Sequence, residues 1–104
     1  MKEVVFAKDQ TVCRGGDWFG DLYNVETGNY VVSIMSQPPP LKSLELYDVA
    51  ILTADRKNIL PVPHECKRLI GKGMVRIKDG GKTLRWLTEE QTHELIEIVR
   101  KLNK

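Results

Sequence analysis

Tyr47-Asp48-Val49-Ala50-Ile51-Leu52-Thr53 is the most continuous apolar run in the chain, and its reading decides the fold. The run is short, bounded by polar residues and rich in β-branched side chains, so it predicts a buried central strand. Upstream, Glu26-Thr27-Gly28-Asn29 has turn chemistry, and Tyr30 to Met35 follows it as a second strand. Pro38-Pro39-Pro40 then ends regular pairing, because three successive residues lack an N–H donor and favour the polyproline conformation. Downstream, Asp55-Arg56-Lys57-Asn58 reads as a turn. Ile59 to Val62 reads as an extended segment that Pro61 and Pro63 confine to an edge or loop.

The outer parts of the chain complete the pattern. Met74 to Lys78 and Thr83 to Leu87 flank Asp79-Gly80-Gly81, which predicts a β-hairpin. With Val75, Ile77, Leu84 and Trp86 facing inward, Arg76, Lys78 and Arg85 face outward together. Lys2 to Ala7 predicts a strand, which Thr11-Val12-Cys13 extends or follows with another. Between Arg14 and Asp21, glycines enclose Trp18 and Phe19, and their tolerance of close backbone approach predicts a bent loop or bulged strand. At the other end, Thr88 and Gln91 have the spacing of a helix capping box. Glu89 and Glu90 in the first turn and Arg100, Lys101 and Lys104 near the end suit the helix dipole. Leu95, Ile98, Val99 and Leu102 form one apolar stripe, and Glu97 can pair with Lys101 on the wet side. A single α+β domain over residues 1–104 is expected, an antiparallel sheet followed by an amphipathic C-terminal helix.

Composition narrows the function classes. A chain of 104 residues with 41% apolar content supports one core. Its apolar runs fall far short of the roughly 20 residues that a membrane-spanning helix needs. The first residues contain an acid and no apolar h-region, so a secretion signal is not expected and a cytoplasmic location is. Two cysteines are too few for a disulfide scaffold. The formal charge of +2 is small but unevenly placed: between Lys67 and Arg85 lie seven Lys or Arg residues against one acid, Asp79.

Several constellations could carry chemistry. Cys13, His64, Cys66 and His93 could together hold a tetrahedral zinc ion, but no Cys-x-x-Cys pair supports this, and neither a metal nor a cofactor is expected. Cys66 with His64 as base lacks a nucleophile elbow and reads better as a small buried thiol beside a surface histidine. No phosphate-binding loop is present. The basic hairpin is the better lead: Arg76, Lys78, Lys82 and Arg85 could contact phosphates, with Lys67, Arg68 and Lys72 extending the strip. Trp18, with Phe19 and Tyr23, could stack on bases. The competing reading is a solvated strand face and core aromatics.

Four stretches resemble the MazF/PemK family of toxin endoribonucleases. They are Arg14-Gly15-Gly16-Asp17-Trp18-Phe19-Gly20-Asp21-Leu22; Gly28-Asn29-Tyr30-Val31-Val32-Ser33-Ile34; Val49-Ala50-Ile51-Leu52-Thr53-Ala54-Asp55 with the later Leu60-Pro61; and Gly73-Met74-Val75-Arg76 with the closing helix. The resemblance implies a small antiparallel β-barrel of the SH3-like type, or a curled sheet, with a C-terminal helix. It also implies a dimer, with an antitoxin or RNA as partner. It would make Thr53 the catalytic threonine. The family's Arg-Pro pair is missing at Asn29-Tyr30, so the catalytic arginine has no direct counterpart, and Arg14 or Arg56 would have to replace it.

The functional expectation is a small nucleic-acid-associated domain, toxin-like, that binds or cleaves RNA. Arg14 and Thr53 are its catalytic candidates, and Arg76, Lys78, Lys82, Arg85 and Trp18 its binding candidates. That reading rests on Arg76, Lys78 and Arg85 sharing a concave face with Thr53. The alternative is a non-catalytic protein-interaction module, for example a viral or mobile-element inhibitor of a host factor.

Overall fold

The structure is a computed structural model of the chain, and it describes residues 4–15, 19–38 and 40–103. The central run forms a strand as expected, here β4 (Tyr47–Thr53), and Tyr47, Val49 and Ile51 point into the core from alternate positions. Around it stand β1 (Gln10–Cys13), β2 (Leu22–Glu26), β3 (Tyr30–Ser36), β5 (Ile59–Leu60), β6 (Arg76–Lys78) and β7 (Thr83–Leu87). All neighbours are antiparallel in the order β1-β2-β3-β4-β7-β6. The second edge of β4 is divided. Its N-terminal half pairs with β7 and its last residues, Ile51 and Leu52, pair with the two-residue strand β5. No pairing joins β1 to β6 among the described residues, so the hydrogen-bonded path is an open seven-stranded sheet.

The helix α1 (Glu89–Leu102) starts where the capping pattern places it. Thr88 Oγ1 accepts from Gln91 N at 3.2 Å, and Thr88 N donates to Gln91 Oε1 at 2.9 Å. Its buried face is broader than the expected stripe. Ile96 and Thr92 join Leu95, Ile98 and Val99 in the interior, whereas Leu102 is only half-buried. The Thr92 hydroxyl tolerates burial by donating to Thr88 O at 2.8 Å. The charged face pairs across the fold rather than along the helix: Arg100 meets Asp9 and Arg68 meets Glu94, each at 3.2 Å, and no Glu97–Lys101 ion pair forms among the described residues.

Two expectations require correction. The segment read as a strand from Lys2 to Ala7 is not one where it is described: residues 4–9 run irregularly, and the first strand is Gln10–Cys13. Its apolar pattern has another cause. Phe6, 5% exposed, plugs the core edge-on against Tyr23 and Tyr47 with centroids 5.2 and 5.0 Å away, and its N–H donates to Gln10 Oε1 at 2.7 Å. The second correction concerns Trp86, expected inside. The β4–β7 register shifts between Tyr47 and Val49, and Trp86 sits at φ +64°, so Leu87 rather than Trp86 enters the core.

Close approach explains the glycine-rich loop before β2. A Cβ on Gly20 would stand 1.8 Å from the Ser36 carbonyl oxygen, a position only glycine can occupy. Beside it Asp21 N donates to Ser36 Oγ at 2.7 Å, tying the loop to the end of β3.

Candidate functional site

The hairpin β6–β7 places its cations as the sequence predicts. Ile77 lies opposite Leu84 and faces the core with it, so Arg76, directly opposite Arg85, and Lys78, opposite Thr83, lie on the outer face. The reversal uses a 3-10 turn at Asp79–Gly81 in which Gly80 takes φ +67°. Lys82 follows this turn and is exposed.

The outer face carries one carboxylate that organises the site. Asp48 of β4 lies in the register shift opposite Arg85 and Trp86. Its Oδ2 accepts from Arg85 Nε at 3.2 Å, while Oδ1 accepts from Trp86 N at 3.3 Å and from Gln37 Nε2 at 3.0 Å. Arg85 in turn lies over the Trp86 ring, 5.7 Å from its centroid. Asp48 therefore compensates the irregular backbone at Trp86 and orients Arg85 at the same time. Neither Asp48 nor Gln37 was singled out in the sequence, because only the register shift reveals what they hold.

Arg76 has no such partner. Its guanidinium donates to Val75 O at 3.0 Å, and no acid pairs with it among the described residues. Lys78 and Lys82 are likewise without an ion pair among the described residues. Two arginines directly opposite each other repel, typically by about 0.2–1 kcal/mol, and only one of this pair is matched by a carboxylate. The hairpin thus presents uncompensated positive charge beside a half-buried tryptophan. Among the extending cations, Lys67 and Lys72 are exposed, and Arg68 is held by Glu94. Trp18 lies outside the described residues.

The catalytic candidates are not brought together. Arg14 follows Cys13, whose level on the sheet is Leu22 and Met35, whereas Thr53 pairs with Tyr30 at the other end of β3. The stretch from Tyr30 to Met35, about 17 Å of extended chain, separates them. Arg14 binds the buried Asp21 at 3.4 Å, and Asp21 Oδ1 also accepts from Gly15 N at 3.0 Å, so this arginine helps shape its own loop. Arg56 is nearer to Thr53, its N–H bonding Thr53 O at 2.8 Å, but its side chain reaches Glu26 of β2 at 3.1 Å.

Thr53 itself serves the β4–β5 turn. Its hydroxyl donates to Asp55 Oδ1 and accepts from Asn58 N at 3.3 Å. Those bonds, the Thr53 hydroxyl first and the Lys57 N–H second, hold the exposed Asp55 carboxyl below the usual carboxylate range. Thr53 also belongs to the core-facing series of Tyr47, Val49 and Ile51, opposite in sense to Arg76, Lys78 and Arg85. The hairpin and Thr53 therefore do not share a face, so the RNA reading loses the shared-face basis expected for it, and only the cationic outer face of the hairpin is left to support it.

The soft ligands are equally scattered. Cys66 is buried and its thiol is pushed up to about 11 by desolvation, while His64 and Cys13 are exposed. A buried thiol of that kind is a poor nucleophile. No group of three metal-ligating side chains converges among the described residues. His93 lies against Phe6, centroids 5.6 Å apart.

Fold and site define a small α+β domain with an open antiparallel sheet, a capped C-terminal helix and one cationic outer face. No protein-family model matches the chain, nor does any curated protein or solved structure. No helix among the described residues is long and apolar enough to cross a membrane.

Proposed function

We propose that this domain associates with nucleic acid and engages RNA through the outer face of the β6–β7 hairpin. The observation that carries the proposal is the opposed pair Arg76 and Arg85, of which only Arg85 has a carboxylate partner among the described residues. A phosphate between the two guanidiniums relieves their repulsion and gains charge-assisted hydrogen bonds. Lys78 and Lys82 add charge along the same edge, and Trp86 supplies an aromatic surface.

The finer reading is a curled, SH3-like sheet of the MazF/PemK type with a toxin-like role, in which a second copy of the chain, an antitoxin or RNA is the partner. The pairing of Tyr30 with Thr53 is compatible with that layout. Binding is favoured over cleavage, because the Thr53 hydroxyl is engaged in its turn and neither arginine candidate is free to join it. The test is a titration of labelled single-stranded RNA at two salt concentrations. Binding that weakens steeply with salt supports the reading, and no binding at low salt ends it. RNA cleavage by the wild type that disappears in Thr53→Ala would restore the enzymatic version.

A second reading, a protein-interaction module that inhibits a host factor, draws on exposed apolar side chains near the end of β3. Phe19 is 69% exposed, and Leu41, Leu44 and Met35 are also open to solvent. Capture of one stoichiometric protein that is lost in a Phe19→Ser, Leu41→Ser double variant would favour it over RNA.

A further inference from the structure

Among the described residues, the non-glycine positions with a positive φ are Glu45, Arg56, Asp79 and Trp86. The first three lie in turns or loops, where such a conformation reverses the chain, and Trp86 alone lies inside a strand. A bulky side chain at φ +64° is strained, and strain of this kind persists only where the surroundings hold it. Here a carboxylate does so. Trp86 N donates to Asp48 Oδ1 at 3.3 Å, and the same oxygen accepts from Gln37 Nε2 at 3.0 Å, which fixes the acid in place. Leu84 before the irregularity and Leu87 after it are both fully buried, so the strand keeps its packing on either side and turns only the intervening aromatic outward.

The neighbours of the ring say what it can meet there. The indole is half-buried, and the Arg85 guanidinium stands 5.7 Å from its centroid. Arg85 is fixed through Nε by Asp48 Oδ2, and its register partner on β6 is Arg76. One carboxylate therefore sets both the backbone of Trp86 and the side chain of Arg85, so that an aromatic surface and two guanidiniums lie side by side on the outer face. A planar ring beside cations is the pairing that a nucleotide presents in complement, a base joined to a phosphate.

We propose that Trp86 is a base-stacking residue and that the hairpin takes single-stranded nucleic acid, with one unpaired base against the indole and the adjoining phosphate between Arg85 and Arg76. The inference rests on the RNA reading of the hairpin and narrows it. A paired base keeps its faces inside the helical stack, so a duplex offers phosphates to the arginines and nothing to the indole. An acidic peptide likewise satisfies the cations and leaves the ring unused. Every base has a π-face, so stacking on one tryptophan selects an unpaired strand rather than a sequence.

The test titrates the ¹⁵N-labelled full chain with three probes: a short single-stranded RNA, the same strand with abasic sugars throughout, and the blunt duplex of that RNA. The indole N–H resonance of Trp86, assigned by its absence in Trp86→Phe, should shift saturably with the intact single strand alone. That strand should bind more tightly than the abasic strand and the duplex. Trp86→Ala should weaken its binding about tenfold and leave the affinity for the abasic strand unchanged, while Trp86→Phe, which retains an aromatic face, should keep most of the affinity. Trp86→Gly relaxes the positive φ, so it should resist urea at least as well as Trp86→Ala while binding as weakly, which separates lost stacking from a lost fold. Unchanged single-strand affinity in Trp86→Ala, or binding of the abasic strand or the duplex as tight as that of the intact strand, overturns the stacking inference. If Arg76→Gln still weakens binding in that case, the RNA reading of the hairpin survives without it. Absence of binding by all three probes at low salt removes both.

Discussion

Replacing Arg76 should make the protein more stable and a weaker RNA binder. In the folded chain Arg76 and Arg85 are register partners, and like charges directly opposite on neighbouring strands destabilise by about 0.2–1 kcal/mol. Asp48 answers part of that charge through Arg85, so Arg76→Gln should gain about 0.5 kcal/mol, in line with measured cross-strand pairs. For a domain of this size the gain is a rise in Tm of about 2–4 °C. Arg76→Glu turns repulsion into a cross-strand ion pair and should stabilise further. Binding moves the other way: each phosphate contact on a single strand contributes about 0.7 to the slope of log affinity against log salt. Loss of one contact therefore shrinks the wild-type advantage about 2.5-fold between 50 and 200 mM salt. Urea unfolding and fluorescence anisotropy of a labelled single-stranded RNA measure both quantities on the same samples. Destabilisation by Arg76→Gln would show that the arginine is held by contacts rather than repelled. Unchanged affinity and slope would remove the hairpin as the binding surface.

Other perturbations test the fold that positions these groups. Phe6→Ala removes a core side chain supplied by an irregular segment and should cost about 3–5 kcal/mol; a loss under about 1 kcal/mol in urea unfolding would mean that residues 4–9 do not anchor the core. Thr88→Ala breaks one half of the capping box and should cost about 1 kcal/mol, read as a lower urea midpoint with unchanged slope. Alkali should weaken the fold through Tyr47 and Cys66. Their folded values are raised to about 12 and about 11, so their contribution is complete below the unfolded values of 10.0 and 9.0 and is lost as pH climbs through the folded ones. The urea midpoint should fall between about pH 9 and 12, and less so in Tyr47→Phe; a flat profile contradicts both shifts.

Local pattern by itself determined a good deal of this protein. The bounds of β4, the β6–β7 hairpin with its outward cations and the capped start of α1 all follow from alternation, glycine turns and the Thr88–Gln91 spacing, because each depends on residues close in the chain. β2 was harder to read, since its burial on both faces hides the period of two: Tyr23, Asn24 and Val25 are all buried. Phe6 looked like a strand residue because an apolar side chain in an extended segment carries no mark of where it inserts; only the space between Tyr23 and Tyr47 decides that. The candidate site divides in the same way. Which cations point outward was legible from period alone. That Asp48 answers Arg85 while Arg76 has no carboxylate among the described residues depends on a register shift between strands far apart in sequence, and so does the outward turn of Trp86. The separation of Arg14 from Thr53 is likewise a product of assembly, because nothing local ties residue 14 to one end of β3.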